Sequence, residues 1–407
     1  MARISVVTPC YDAERFIGQA IQSVLDQTYQ DFEIIIVDDG STDGSRRVIQ
    51  GFVDPRIRLL SQENSGPAMA RNTGVRAAAG EFVAFLDADD LALPHRFASQ
   101  LAILEADPLL SVVGSGYLWI DETGAQLPWP HHSWQHAPDL NDISSWLVDC
   151  PFVPSATMLR RQAWEDIGGF DEELVGPEDW NFWLRLVVTG HRMTWQQEVV
   201  CLYRRSASSL SENADRMSVN SPEALRRVLV RPDFPPHLLS LGQKGLAIRY
   251  LDGTKRLYRS GKWEQGKASL ETAIALDPDL IAGQPCRVED EIVSAAMEPL
   301  VTDPLGFLAS VFGNLPASAK PVQVRESSIL ARARLELLAR GLQAGQYHQV
   351  LDQWGPELVR HPGQDLAALS SRRDELEQLA ELRPARQQIG TTAGAAFRHH
   401  QMQPPGG

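Results

Sequence analysis

The stretch EIIIVDDGSTDGS, residues 33–45, decides how this chain is read. Glu33 to Val37 is a β-branched run with the composition of a buried strand. Asp38 and Asp39 leave it at once, and the Gly and Ser residues that follow make a turn and cap a helix. Working backwards, Ile4-Ser5-Val6-Val7-Thr8 reads as another buried strand. Residues 13–27 then set Phe16, Ile17, Ala20, Ile21, Val24 and Leu25 at helical spacing, with Asp12 and Glu14 where a helix dipole favours negative charge. Working forwards, Arg56 to Leu60 is a short strand, 67–79 an Ala-rich helix, Phe82 to Leu86 a strand, 94–106 a helix and 111–119 a strand. Strands separated by helices of this length imply right-handed crossovers. The expectation is an α/β fold with a mostly parallel, Rossmann-like sheet and helices on both faces. Such sheets bind ligands at the carboxyl ends of their strands. Asp38, Asp39, Asp87, Asp89 and Asp90 all fall just past strand ends.

The rest of the chain sets limits. At 407 residues it is too long for one ordinary domain. With 43% hydrophobic and 22% charged residues it has the composition of a globular protein with a real core. A net charge of −14 disfavours nucleic acid and anionic membrane as general partners, although six arginines (204, 205, 216, 226, 227 and 231) crowd one stretch. The four cysteines form no CxxC pair and are widely scattered, which fits neither a zinc site nor a disulfide scaffold and points to a reducing cytosol. The first residues enter a strand directly, with no secretory signal, and no run approaches the roughly 18 apolar residues of a membrane span. A cytoplasmic protein is expected, peripheral at the inner face of the membrane if its substrate is a lipid.

Residues 117–200 carry eight of the ten tryptophans, most of them expected in the core. From about 238 the pattern is helical. Residues 257–278 resemble a tetratricopeptide helical hairpin, and 342–362 repeat it imperfectly: Gly261 and Gly345 are 84 apart (345 − 261). The expected organisation is therefore a catalytic domain over 1–235, an all-α repeat-like domain over 236–385 and a disordered tail over 386–407.

Four motifs carry chemistry. Phe85-Leu86-Asp87-Ala88-Asp89-Asp90 crowds three carboxylates at a strand end, a repulsion that a hard divalent ion bridging to phosphate oxygens relieves. Asp38-Asp39 can accept hydrogen bonds from a base or a ribose. Arg71, early in the helix after Asn64-Ser65-Gly66-Pro67, can reach a nucleotide at the strand ends. Gly176-Pro177-Glu178-Asp179-Trp180 sets two acids on a loop before a helix, where one can act as a general base. Taken singly, each motif also reads as a capped turn, a surface Arg or a negative first helical turn.

In this order they resemble glycosyltransferase family 2, enzymes of the GT-A fold. The resemblance rests on residues 5–45 (SVVTPCYDAERFIGQAIQSVLDQTYQDFEIIIVDDGSTDGS), 63–90 (ENSGPAMARNTGVRAAAGEFVAFLDADD), PFVPSATMLRR with GGFDE, and GPEDWNFWLRL. It covers about 1–210. It implies that Thr8, Pro9 and Tyr11 line a base pocket, that Asp39 accepts from the base, and that Arg71 lies along the nucleotide. It further implies that Asp87 approaches the ribose or the metal, that Asp89 is the main ligand of Mn²⁺ or Mg²⁺ in a DXD motif, and that Asp179 is the catalytic base with Glu178 beside it. Family members often carry a His where Ser206 stands in Tyr203-Arg204-Arg205-Ser206, so water, Arg204 or Arg205 is expected to serve the diphosphate here. Trp180, next to the base, is the expected acceptor contact.

The implied reaction is inverting transfer of a sugar from a nucleotide diphosphate donor, UDP favoured, to a hydroxyl of a glycan, lipid-linked or protein acceptor, as in polysaccharide biosynthesis. Two other classes stay open. A sugar-phosphate nucleotidyltransferase shares the sheet and the metal aspartates, but Thr8-Pro9-Cys10-Tyr11-Asp12 lacks its Gly-rich, basic loop. A non-catalytic scaffold would act through protein partners or self-association of the helical half.

Overall fold

The protein is described by a computed structural model over residues 2–127, 139–148, 150–206, 209–210, 213–283, 286–298 and 301–343. Ile4–Cys10 (β1) and Phe32–Asp38 (β2) run parallel, with Ile4 beside Phe32 and Cys10 beside Asp38. Both are buried on both faces, which is why they read as continuous apolar runs rather than alternating ones. The helices Ile17–Leu25 (α1), Ser45–Gln50 (α2) and Gly66–Arg76 (α3) are the crossovers that join β1, β2, Ile57–Ser61 (β3) and Phe82–Phe85 (β4). Here the expected elements fall within a few residues of the observed ones.

Further along come Leu91–Ala92 (β5), Arg96–Ala106 (α4), Leu110–Ile120 (β6), Ser144–Val148 (α5), Thr157–Arg160 (β7), Arg161–Asp166 (α6), Glu178–Val188 (α7) and Arg192–Arg204 (β8). The strand order is β3-β2-β1-β4-β7-β6-β8-β5. Strand β7 lies antiparallel between β4 and β6, β8 is parallel to β6, and β5 is antiparallel to β8. Strands β1, β2, β3, β4, β6 and β8 therefore all point the same way. Their carboxyl ends share one edge of the sheet, and that edge carries Asp38, Asp87 and Arg204.

Alternate residues of the strands feed two cores. Ile4, Val6, Ile34 and Ile36 face α1 and α4, while Val7, Val83 and Phe85 face a second cluster with Phe170, Phe182 and Trp183. The second core is tight where α3 crosses β1. A Cβ added at Gly74 would overlap the Val7 methyls, with Val37 Cγ2 at 3.4 Å behind them. Gly74→Ala is expected to cost about 1–3 kcal/mol by overpacking. Thermal unfolding checks it, and an unchanged midpoint would show that Val7 repacks freely. Of the tryptophans in the described residues, Trp146, Trp164, Trp180 and Trp183 are buried, and Trp129 and Trp134 lie outside those residues.

Helices follow: Ala214–Leu229 (α8), Leu239–Arg259 (α9), Trp263–Leu276 (α10), Asp279–Ala282 (α11), Arg287–Ala296 (α12), Pro304–Gly313 (α13), Lys320–Val324 (α14) and Glu326–Gln343 (α15). Helices α9 and α10 make a hairpin over 257–278, turned by Gly261 at φ 73°. The small residue Gly266 lies against the Tyr258 ring. By packing the chain divides into two units, Met1–Ala295 with Ser310–Gln323, and Ala296–Ala309 with Val324–Gly407. The imperfect second repeat from residue 344 onward, and the tail, lie outside the described residues.

Candidate active site

Two loops meet at the ends of β1 and β2. Asp12 is the one non-glycine among the described residues with positive φ, 47°. Its carboxylate accepts from the Thr42 amide at 2.7 Å and the Asp43 amide at 3.3 Å, which stitches the loop after β1 to the loop after β2. Thr8 is buried, whereas Tyr11 is half exposed at the mouth of this corner. Asp39 donates its own amide to the Cys10 carbonyl. Its carboxylate accepts from Gln62 Nε2 at 2.7 Å, the Ser65 amide at 2.9 Å and the Gly66 amide at 2.8 Å. A carboxylate has about four acceptor positions. Three here hold the connector from β3 to α3, which leaves one for a ligand.

The turn after β4 gathers the second group. The Asp87 amide donates to Ser155 Oγ at 3.0 Å, and Asp87 Oδ1 accepts from Arg71. The Asp89 carboxylate takes a hydrogen bond from its own backbone amide. Burial, and then the Asp87 charge, push it up to about 6. Asp90 is buried, with Oδ1 accepting the Arg204 amide at 2.7 Å and Oδ2 without a hydrogen-bond partner among the described residues. Burial first, then the charges of Asp89 and Asp87, raise it well above the usual carboxylate range. Beneath the turn lies a fully buried guanidinium, Arg96, which donates to the carbonyls of Phe85 and Thr157. Its pKa is lowered to about 10 by burial.

Among the described residues no three His, Cys, Asp or Glu side chains form a complete metal cage. The oxygen donors that are present, Asp87 and Asp89 with an under-satisfied Asp90 behind them, fit a hard cation that takes one or two carboxylates and completes its shell with substrate phosphate and water. The same crowding that raises Asp89 and Asp90 is what a divalent ion would relieve.

The third group is the loop Gly168–Pro177 and the first turn of α7. Glu178 is buried, accepts Arg71 NH1 at 2.7 Å and takes the Gly176 amide at 2.7 Å. Burial raises its pKa, with the Arg71 charge pulling the other way. Asp179 is only partly buried, and its hydrogen-bond donor among the described residues is the Trp180 amide, at 2.7 Å. Burial, then the Glu178 charge, push its pKa up to about 7, where a carboxylate is a competent proton acceptor.

One side chain ties these groups together. Arg71 is buried over the Phe170 ring and gives NH1 to Glu178 and NH2 to Asp87, each at 2.7 Å. Burial would lower its pKa, but the Asp87 and Glu178 charges outweigh that and raise it. Arg71, expected along the nucleotide, gives one bond from each terminal nitrogen to a carboxylate and so spans the β4 turn and the α7 loop. Arg204 is likewise held by groups of the protein. It is buried over Phe16, with Nε on the Asp89 carbonyl and NH1 on the Asp121 carbonyl, and so ties the β4 turn to the end of β6. Trp180 is 3% exposed, donates Nε1 to the Trp146 carbonyl and has Arg249 over its ring at 4.9 Å. A ring covered this way offers no face to an acceptor sugar, and the residue belongs to the core. At the position of the missing His, the Ser206 amide donates to Ser209 Oγ at 3.1 Å.

Sequence reasoning passed over Ser155, Asn72 and Arg96. Asn72 is the fullest hub: Oδ1 accepts the Phe170 amide and Trp164 Nε1, and Nδ2 donates to the Phe170 carbonyl and to Glu172. It stands next to Arg71 in a stretch already singled out, but an Asn in mid-helix carries no local mark of partners a hundred residues away.

Residues 5–168 match the family model described as glycosyl transferase family 2. The UDP-Glc:alpha-D-GlcNAc-diphosphoundecaprenol beta-1,3-glucosyltransferase WfgD of Escherichia coli is 31% identical over 258 residues, covering 62% of this chain and 98% of that protein. Among solved structures, S. aureus TarS 1-349 in complex with UDP superposes with a TM-score of 0.51 at 20% identity, over 79% of this chain and 91% of that one. The same fragment in complex with UDP-GlcNAc gives 0.51 at 18% identity, over 85% and 92%. These structural matches bear on the fold alone.

Proposed function

This chain belongs to glycosyltransferase family 2, and from that premise we propose that it transfers a sugar, with inversion, from a UDP-sugar to a hydroxyl of a glycan-type acceptor, with Asp179 as general base. The observation that carries this reading is the Arg71 strut, because it gathers Asp87 and Glu178–Asp179 at one edge of the sheet. The donor follows from WfgD, whose name specifies UDP-Glc, and that name also suggests a sugar on a polyprenyl diphosphate as the first acceptor to try. No helix among the described residues is long and apolar enough to cross a membrane.

In the proposed mechanism the nucleotide lies over the ends of β1 and β2, near Tyr11 and the remaining acceptor position of Asp39. Asp87 and Asp89 would hold Mn²⁺ or Mg²⁺, which when bound offsets the charge of the diphosphate leaving group. The acceptor oxygen attacks the anomeric carbon from the face opposite the diphosphate. Its proton passes to Asp179, and the bond from the anomeric carbon to the diphosphate oxygen breaks with its electron pair going to the nucleoside diphosphate. Glu178 does not compete for the proton, since Arg71 and the Gly176 amide occupy it. An α-linked donor gives a β-linked product.

For the C-terminal domain expected over 236–385 we propose acceptor recruitment or self-association. The test is release of nucleoside diphosphate from UDP- and GDP-sugars with Mn²⁺, in the presence of N-acetylglucosaminyl diphospholipid. No release with any donor, and no Mn²⁺-dependent nucleotide binding, would sink the transferase mechanism. Pyrophosphate release from a nucleoside triphosphate would instead favour a nucleotidyltransferase. Chelation by EDTA is expected to abolish release and added Mn²⁺ to restore it, while Asp89→Asn should stay inactive at any Mn²⁺ concentration that saturates the wild type. Full activity after chelation would remove the metal from the mechanism.

A further inference from the structure

The loop that carries the proposed base turns at three glycines. Gly168, Gly169 and Gly176 all have positive φ, at 76°, 81° and 112°. Side chains from other elements reach the chain between them. Arg185 of α7 donates to the Ile167 and Gly169 carbonyls; of the other two sets, one comes from α3, through Asn72 and Arg71. The other comes from α8, which lies beyond residue 168, where the family match ends. Asn220 Nδ2 donates to the Val175 carbonyl at 2.8 Å, four residues before Asp179. Arg227 NH1 reaches Asp171 at 2.9 Å and Glu173 at 3.0 Å. Asn181, on the second turn of α7, donates Nδ2 to the Ala224 carbonyl at 3.0 Å. Met217 Sδ abuts Gly176 on the side where any larger residue would carry its Cβ.

The helix that provides these braces is itself fixed. Asn213 caps it by accepting the Arg216 amide at 3.0 Å. Arg226 NH2 donates to Tyr250 Oη on α9 at 3.1 Å, and Gly242 and Gly253 let α9 come close to Leu229 and Ser218. Ala224, Leu225 and Val228 of α8 join the core that holds Phe182 and Trp183 of α7.

We propose that α8 is the positioning element for the base loop, acting through Asn220 and Arg227. It rests on the reading of Asp179 as the base. Neither residue touches the reacting atoms. Arg227 and its partners are partly exposed, so the ion pairs add little to global stability. Their effect is on geometry, where displacement of a reactive group by about 1 Å can cost on the order of 10²-fold in rate.

The experiment compares Asn220→Asp, which keeps the shape but loses the amide donor, and the double variant Asn220→Asp/Arg227→Ala with wild type. Hydrogen exchange of the full chain is read together with steady-state kinetics on UDP-glucose, Mn²⁺ and N-acetylglucosaminyl diphospholipid. The proposal expects faster exchange confined to residues 170–179, kcat lower by roughly 10- to 100-fold in the double variant, and the KM for UDP-glucose unchanged. Arg227→Lys should recover part of the loss. Wild-type exchange over 170–179, or a wild-type kcat despite faster exchange, overturns it, as does a loss confined to the donor KM. If the double variant does not fold, Asn220→Asp alone decides by the same two readouts. If the wild type transfers no sugar from UDP-glucose, that donor and acceptor pair is wrong, and the exchange arm still decides whether α8 holds the loop.

Discussion

Asp179→Asn is expected to lower kcat by about 10²- to 10⁴-fold, the usual worth of a positioned general base, with little change in donor KM. The carboxylate is partly open at the sheet edge and its own pKa is raised to about 7 by burial and the Glu178 charge. Wild-type kcat should therefore climb with pH, reach half its plateau near pH 7, and fall below that as Asp179 takes up a proton. The Asn variant should lack that limb. The stability sign is opposite to that of an ordinary ion-paired aspartate. With an unfolded pKa of about 3.9 and a raised folded value, the native state binds the extra proton between the two. Asp179 therefore contributes less stability as pH rises from about 4 through about 7. The Asn variant is expected to gain on the wild type in thermal midpoint across that window. A pH–rate profile and a pair of melting series read both effects. A variant that keeps full kcat, or one that loses stability relative to wild type as pH rises, would remove Asp179 from the role.

The sheet edge was legible because the first half of the fold is built from long-range parallel pairs of apolar strands, and each strand ends in polar residues that have no other reason to cluster. EIIIVDD and FLDADD place their aspartates past strand ends by local pattern alone; the structure makes Asp38 the last residue of β2 and leaves Asp39, Asp87, Asp89 and Asp90 beyond their strands. The antiparallel insertion of β7 was not legible. Thr157-Met158-Leu159-Arg160 is four residues long, too short for a period, and it becomes a strand only because β4 and β6 offer it partners on both sides. Side-chain partnership was harder still. Arg71, Arg204 and Trp180 each stand in a motif and each was expected to face a ligand, yet all three are buried. An arginine that spans two carboxylates from different loops looks the same in sequence as one that faces a phosphate. Only the fold decides which acceptor its planar fork meets.

Arg71→Ala separates those two roles. Removing one partner from a buried ion pair leaves its counter-charges desolvated and uncompensated, a cost of about 3–5 kcal/mol. Here two carboxylates lose their partner at once, Glu178 and Asp87, with Asp179 adjoining Glu178. A fall in thermal midpoint on the order of 10 °C follows from that cost, together with loss of transfer activity. The deficit should shrink as pH is lowered. Burial already raises Glu178 even against the Arg71 charge, so without that charge its pKa rises further and protonation relieves the strain at higher pH than in the wild type. Arg71→Lys keeps the charge but not the fork. A single ammonium cannot hold both carboxylates at the 2.7 Å of the guanidinium, so it should restore stability better than activity. If Arg71→Ala instead melts with the wild type and only weakens the donor KM, the strut is not what holds the site together, and Arg71 serves the nucleotide. A loss of stability that deepens with pH, with the KM of whatever folded enzyme remains close to wild type, points the other way. The charge gathered at this edge is then an internal framework on which the substrate is placed, and the base and the metal aspartates share one anchor, so that moving either displaces both.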